Sequence, residues 1–257
     1  MSRGVAEIAR LEEERQVQGL KDIALEWIEV GGGVACYSGP GSWCNMACGQ
    51  GMQGPVPDSE LDRLDAFYLG RGVPVRVELS PYAHPDLAPA LAARGFTLRR
   101  FETLLYREIE PSEPLGADLP GLELRGVRPG EEELFVLTAM SGFLGPDQPV
   151  PASDLELGLR MLARPDVLSV LAIIDGAAVG AASASVRGEV VALFGATVRP
   201  AWRRRGVQGA LIRARLDEAR RRGATLATIG SLPGEPTERN AAREGFRVAC
   251  TRVHLER

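Results

Sequence analysis

Three consecutive arginines, Arg203, Arg204 and Arg205, run into Gly206, Val207, Gln208, Gly209 and Ala210, and this stretch has the chemistry of an anion site. The first amides of a helix have no acceptor within the helix, and they carry about half a unit of positive charge. A glycine-containing turn at such a point can wrap a phosphate. Gly206 and Gly209 let the backbone approach a ligand closely. The guanidinium groups add charge-assisted hydrogen bonds suited to a diphosphate rather than to a neutral ligand. No acidic residue occurs between Glu189 and Asp217 to oppose an anion. The alternative reading of the same arginines is a solvated basic turn ahead of an amphipathic helix.

The flanking segments must position that turn. Residues 189–198, rich in Val and Ala, predict a strand before it, and residues 207–222 predict a helix after it. In that helix Ile212, Leu216, Ala219 and Gly223 share one stripe, with Asp217/Arg221 and Glu218/Arg222 as i,i+4 pairs outside. A strand over 225–231, a turn through Pro233, Gly234 and Pro236, a short helix over 237–244 and a strand over 246–255 follow. Upstream, the pattern predicts a strand over 122–127, helices over 131–143 and 154–164 separated by a Gly/Pro-rich loop, and strands over 167–174 and 177–186. Asp175 and Gly176 join the last two as a hairpin, because both tolerate positive φ.

The first half reads as one amphipathic helical segment over 7–29 broken near Gly19, strands over 34–37 and 45–51, and a helix over 58–69 capped by Asp58 or Ser59. A strand over 73–79, a helix over 85–94 closed by Gly95 and a strand over 96–109 complete it. Residues 110–121 hold Pro111, Pro114, Gly116, Pro120 and Gly121, the composition of a linker. The expected organisation is therefore a first domain over 1–110, a linker over 111–121 and a second domain over 122–257. The expected class is α+β, an α/β sandwich with a mixed, mostly antiparallel sheet flanked by helices.

The second half resembles the GNAT superfamily of N-acetyltransferases. Their diphosphate loop reads Arg or Gln, two residues, Gly, one residue, Gly or Ala. Arg203, Gly206 and the position of Gln208 match in order; Gln208 departs from the small residue expected, although Gly209 and Ala210 follow directly. Residues 239–246, ending in Gly245-Phe246, resemble the family's second signature, a helix that closes in Gly-Phe after a strand. The resemblance implies acetyl-CoA or CoA as cosubstrate, with the diphosphate on the amides of residues 204–209. It implies the pantetheine arm beside Ala196, Thr197 and Val198, and Thr237, Asn240 and Arg243 on a helix alongside the cofactor. Without the resemblance, Thr237 reads as a helix cap and Arg243 as a solvated side chain.

Acyl transfer to an amine needs a neutral nucleophile, a polarised thioester carbonyl and a proton for the leaving thiolate. Many family members supply the proton from a tyrosine four residues before Gly-Phe, and here that position is Ala241. Water, Ser231 or direct protonation takes its place. Glu189, Glu235 and Glu238 are the nearest acids by topology; Glu189 and Ser231 are the catalytic candidates, each with a bland surface or core reading beside it. Cys250, in an apolar strand, reads as core.

Setting Gly95-Phe96 against Gly245-Phe246 suggests a first half that is a degenerate copy of the second. It carries residues 54–60 (GPVPDSE) where the second has its arginine loop. Asp58, Ser59 and Glu60 would satisfy that helix N-terminus and repel a diphosphate, so one cofactor per chain is expected. The functional expectation is an acetyl-CoA or acyl-CoA dependent N-acetyltransferase acting directly on the amine of a small molecule or an exposed amine. A non-catalytic acyl-CoA binding or sensing module is the alternative.

Composition narrows the rest. Thirty basic against thirty-four acidic residues, a net charge of -4, give no field that recruits nucleic acid or an anionic membrane. No run reaches the roughly 18 to 20 apolar residues of a membrane span, and the first residues lack the apolar core of a signal peptide, so a cytoplasmic protein is expected. Cys36, Cys44, Cys48 and Cys250 form no disulfide framework, and His84 and His254 follow no ligand spacing. No metal is expected.

Overall fold

A computed structural model describes residues 3–116, 119–144 and 148–257. In chain order the elements are α1 (Val5–Ile23), β1 (Glu26–Val30), β2 (Gly33–Tyr37), β3 (Met46–Cys48), α2 (Asp58–Leu69), β4 (Arg76–Leu79), α3 (Leu87–Ala93) and β5 (Thr97–Glu108). They continue as β6 (Leu122–Gly126), α4 (Glu132–Met140), α5 (Ala152–Leu162), β7 (Val167–Ile174), β8 (Ala177–Arg187) and β9 (Val190–Val198). The chain ends with α6 (Val207–Arg221), β10 (Leu226–Ser231), α7 (Pro236–Arg243) and β11 (Arg247–Glu256). Two compact units result, Met1–Leu104 with Ser231–Pro233 and Val248–Arg257, and Leu105–Gly230 with Gly234–Arg247.

In the second unit β6, β7, β8 and β9 form an antiparallel meander. β10 then joins β9 in parallel, and the end of β5 lies beyond it. A parallel neighbour needs a crossover, which α6 supplies. Its Val207, Leu211, Ile212, Leu216 and Ala219 are buried, and Ile212, Leu216 and Ala219 join Leu193, Ile229 and Phe246 in one apolar cluster. Both expected ion pairs form on its outer face, Asp217 with Arg221 and Glu218 with Arg222 at 3.1 Å.

The first unit repeats this order. β1, β2 and β3 form an antiparallel meander, and β4 follows in parallel, Ala47 opposite Val77. β11 pairs antiparallel with β4, Val253 opposite Leu79. The core is built on Leu61, Leu64, Tyr68, Val75, Val77, Leu91 and Phe96.

Four expectations change. The segment expected as helix over 7–29 is a helix to Ile23 and then strand β1. Gly19 does not break α1, because a single glycine costs only about 1 kcal/mol and buried Ile8, Ala9, Leu20 and Ile23 hold the helix on both sides of it. The β1–β2 hairpin is set by Gly31 and Gly32, with φ of 60° and 79°, as a two-residue turn requires. Secondly, α2 begins at Asp58 after Pro57 with no side-chain cap; Glu60 instead accepts from the Gly31 N–H at 2.9 Å.

Thirdly, residues expected as a linker pack along α6. Leu115 is buried in the cluster of the second unit, Arg213 donates to the Gly116 carbonyl at 3.2 Å, and Arg220 donates to the carbonyls of Pro111 and Glu113 at 2.9 and 3.1 Å. Proline and glycine there suit an extended strap, three of whose carbonyls are met by arginines. Positions 117 and 118 of that segment, and 145–147 of the loop between α4 and α5, lie outside the described residues. Lastly, the C-terminal strand from Val248 counts with the first unit rather than with the second domain expected over 122–257.

Candidate functional site

β9 does not run straight. Ser183 of β8 faces Phe194, but Ala181 faces Thr197, so β9 carries one extra residue. Gly195 takes φ of 57° there, and a bulge of this kind bends its strand. Gly180 permits the close approach that follows, since a Cβ on it would stand 2.8 Å from the Thr197 carbonyl oxygen. On the other edge the parallel ladder with β10 ends at Ile229 opposite Leu193. Among the described residues, the last five residues of β9 have no ladder partner on that edge, which leaves backbone groups open to an extended ligand.

Thr197 fastens this edge from the other face, its Oγ1 donating to the Ala139 carbonyl at 2.7 Å. Gly142 makes room for it, since a Cβ there would lie 2.5 Å from that hydroxyl. Of the three expected arm contacts, Thr197 therefore has only its backbone to offer, as have Ala196 and Val198.

The turn after β9 is shaped by two left-handed residues, Arg204 with φ of 62° and Gly206 with φ of 82°. Alternation of this kind turns successive amides toward one side, an anion-binding nest. Gly206 is the N-cap of α6 and no side chain caps the helix. Among the described residues the amides of 204–209 find no protein acceptor, whereas Arg203 N–H reaches the Pro200 carbonyl and Ala210 N–H the Gly206 carbonyl. The side chains divide their tasks. Arg203 Nε donates to the Val198 carbonyl at 3.1 Å and ties the turn to the strand end. Arg205 stacks over Trp202 at 4.7 Å. Arg204 is exposed. Val207 and Ala210 are buried, while Gln208 and Gly209 are half-buried. Gln208 thus stands where its larger side chain is tolerated.

The expected partners lie on α7 of the same unit, whose C-cap Glu244 accepts from Arg213 of α6 at 2.6 Å. Thr237 does not cap α7; its N-cap is Glu235, and Glu238 accepts from the Gly234 N–H at 2.7 Å. Asn240 accepts from Arg243 at 3.0 Å, so these two already engage each other. Ala241, at the position of the family's acid, is fully buried in the core cluster.

Glu189 lies away from the turn. It precedes β9 at the end opposite the turn, about 20 Å from Gly195 at the rise of an extended strand, and its carboxylate accepts from Thr225. Ser231 ends β10, counts with the first unit and donates to the Leu232 carbonyl at 3.1 Å.

Sequence reasoning missed Arg215 and Gly195. Arg215 is 1% exposed. Its Nε donates to the Leu211 carbonyl at 2.9 Å, and Nη1 to the carbonyls of Ser183 and Phe194 at 2.7 and 3.3 Å. Burial pushes it down to about 9, which leaves it charged at neutral pH. The signal was present: an arginine between Ile212 and Leu216 on the apolar stripe, and a glycine inside a run of Val, Ala and Leu.

Residues 137–246 match the family model described as the acetyltransferase (GNAT) family. No curated protein matches the chain. Among solved structures, a GCN5-related N-acetyltransferase from Kribbella flavida is 23% identical with a TM-score of 0.75, over 99% of this chain and 96% of its own. A GCN5-related N-acetyltransferase from Sphaerobacter thermophilus is 19% identical with a TM-score of 0.57, over 72% and 59%. A tandem GNAT protein from the clavulanic acid biosynthesis pathway is 15% identical with the same TM-score, over 72% and 63%. These likenesses show the fold. No helix among the described residues is long and apolar enough to cross a membrane. With the family match spanning the bulged strand, the arginine turn and the Gly-Phe pair, residues 137–246 of the chain are a domain of the acetyltransferase (GNAT) family.

Proposed function

We propose that the second unit binds one acetyl-CoA and transfers its acetyl group directly to the amine of a small molecule or an exposed amine. The observation that carries this reading is the run of amides at 204–209 that find no acceptor among the described residues, at the uncapped N-terminus of α6 and next to the open edge of β9. The diphosphate fits those amides, with Arg203, Arg204 and Arg205 supplying positive potential, and the pantetheine arm fits the backbone of Ala196, Thr197 and Val198. Val207, Gln208, Gly209 and Ala210 set the pitch of the first turn. Thr237, Asn240 and Arg243 are the outer contacts.

Direct transfer is favoured over an acyl-enzyme because three of the four thiols are poor nucleophiles. Burial pushes Cys36 up to about 12 and raises Cys48 and Cys250 as well, so none is a thiolate at neutral pH. In the reaction the amine nitrogen bonds to the thioester carbon, the carbon–sulfur bond breaks, and one proton passes from nitrogen to the leaving thiolate. With Ala241 buried and Glu189 remote, water carries that proton.

The first unit binds no second cofactor. Its loop between β3 and α2 contains Pro55 and Pro57, which have no N–H, and Gly51 N–H already reaches the Gly31 carbonyl at 2.9 Å. Asp58 and Glu60 in the first turn of α2 oppose an anion.

The buried Ala241 also supports a second reading, a non-catalytic acyl-CoA binding module. Calorimetric titration with acetyl-CoA and CoA, on the intact protein and on Arg204→Glu and Gly206→Glu, tests the site. One site per chain, lost in both variants, is the expected result; no binding by the intact protein would sink the reading. Thiol release from acetyl-CoA with a panel of amines then separates the enzyme from the module.

A further inference from the structure

Arg215 lies on the face of α6 that carries Leu211, Ile212, Leu216 and Ala219 into the core. A buried guanidinium costs several kcal/mol of lost hydration unless its donors are met. Among the described residues no carboxylate is a hydrogen-bond partner of it; the three partners are carbonyl oxygens, those of Leu211, Ser183 and Phe194. Ser183 and Phe194 are the ladder pair at which β9 slips by one residue. The guanidinium is thus fastened to both sides of the root of the bulge, and Gly195, left-handed, is the next residue along. A leucine or methionine would fill the space without the hydration cost, so filling the core does not account for the charge.

We propose that Arg215 is a positioning residue. By holding the Ser183 and Phe194 carbonyls it keeps β9 bulged at Gly195, and the bulge keeps the open edge at Ala196 to Val198 in the conformation that receives the pantetheine arm. The inference rests on reading that edge and the adjoining turn as the CoA site. It concerns the arm alone. The diphosphate is met by amides of the turn and the first residues of α6, two turns N-terminal to Arg215. Without the guanidinium two carbonyls at the bulge lose their donor, and straightening β9 into the ladder is the cheapest repair.

The test compares two ligands on three proteins. The wild type, Arg215→Met and Arg215→Lys are titrated with CoA and with 3′-phosphoadenosine 5′-diphosphate, which is CoA without its arm. Arg215→Met is expected to bind the fragment within about twofold of wild type and CoA about tenfold more weakly, the loss of roughly one charged hydrogen bond. Arg215→Lys, which keeps one charged donor, loses less. Unchanged CoA affinity in Arg215→Met overturns the proposal, and so does an equal loss of both ligands, which marks general damage. Should Arg215→Met not fold, Gly195→Ala decides. A Cβ there meets nothing closer than 3.9 Å, so only the backbone conformation opposes it, and the same arm-selective loss is expected. If Gly195→Ala binds CoA as wild type does, the bulge is not what receives the arm. A wild type that binds neither ligand defeats the site reading itself, a failure distinct from a wild type that binds both while Arg215→Met does the same.

Discussion

Gly209 of α6 lies directly against the carboxylate of Glu244, so that a Cβ on Gly209 would stand 2.5 Å from Oε1. The same oxygen accepts from Arg213 at 2.6 Å. Alanine at position 209 would gain about 1 kcal/mol in helix propensity and displace a carboxylate that is the free end of a side chain, losing a comparable amount of a partly exposed ion pair. Gly209→Ala is therefore expected to unfold in urea within about 1 kcal/mol of wild type. In a Glu244→Ala background the same change should stabilise by about 1 kcal/mol. An equal increment in both backgrounds would mean that the two residues do not touch in solution.

Arg204 and Gly206 both take left-handed φ, but only Arg204 bears a side chain there. If the diphosphate is held by backbone amides, Arg204→Gly relieves about 1 kcal/mol of strain and leaves CoA affinity within about threefold. Gly206→Ala adds a similar strain, with its Cβ 3.3 Å from Leu119, and should weaken CoA about tenfold by titration calorimetry. Loss of binding in Arg204→Gly would transfer the main role from the backbone to the guanidinium.

The turn and its helix were legible because their signals are local. Gly206 marks an N-cap, the stripe of Ile212, Leu216 and Ala219 marks a buried face, and the end of the apolar periodicity marks the helix boundary. Strand β1 was not, since only Ala24 and Leu25 separate it from α1 and neither punctuates a chain. The strap at 110–116 carries the prolines of a linker, and its placement along α6 depends on Arg213 and Arg220, about a hundred residues away. Nor does anything near Val248 say that the last strand pairs with β4; such partners are set by long-range packing. Arg215 was missed for a different reason. An arginine on a helix beside other arginines reads as solvated, and only the bulge in β9 supplies the carbonyls that let it be buried.

Ala241 occupies the position where many relatives carry an acid, yet it is fully buried among Ile212, Leu216 and Phe246 and their cluster neighbours. Ala241→Tyr is accordingly not a repair. The ring would overpack the core at a cost of about 1 to 3 kcal/mol, and the expected outcome is a lower midpoint of thermal unfolding with no gain in thiol release from acetyl-CoA. A gain in turnover without loss of stability would show that the site can open to admit a phenol.

Glu13 is buried beside Arg252, with 3.1 Å between Oε1 and Nε, and Glu78 pairs with the same arginine at 2.8 Å. Burial pushes the Glu13 carboxyl up to about 7; Arg252 opposes the shift, and Glu78, Glu12 and Glu102 add to it. A raised carboxyl binds its proton more tightly in the folded state. Its stabilising contribution is complete below the unfolded value of about 4.5 and is lost as pH rises through about 7. At 1.36 kcal/mol per unit the span is on the order of 3 kcal/mol. Stability by urea unfolding should therefore fall between pH 5 and pH 8. Glu13→Gln, which keeps the shape of the protonated carboxyl and cannot ionise, should remove most of that slope. Parallel curves for the two proteins would assign the slope to other groups and leave Glu13 ionised throughout.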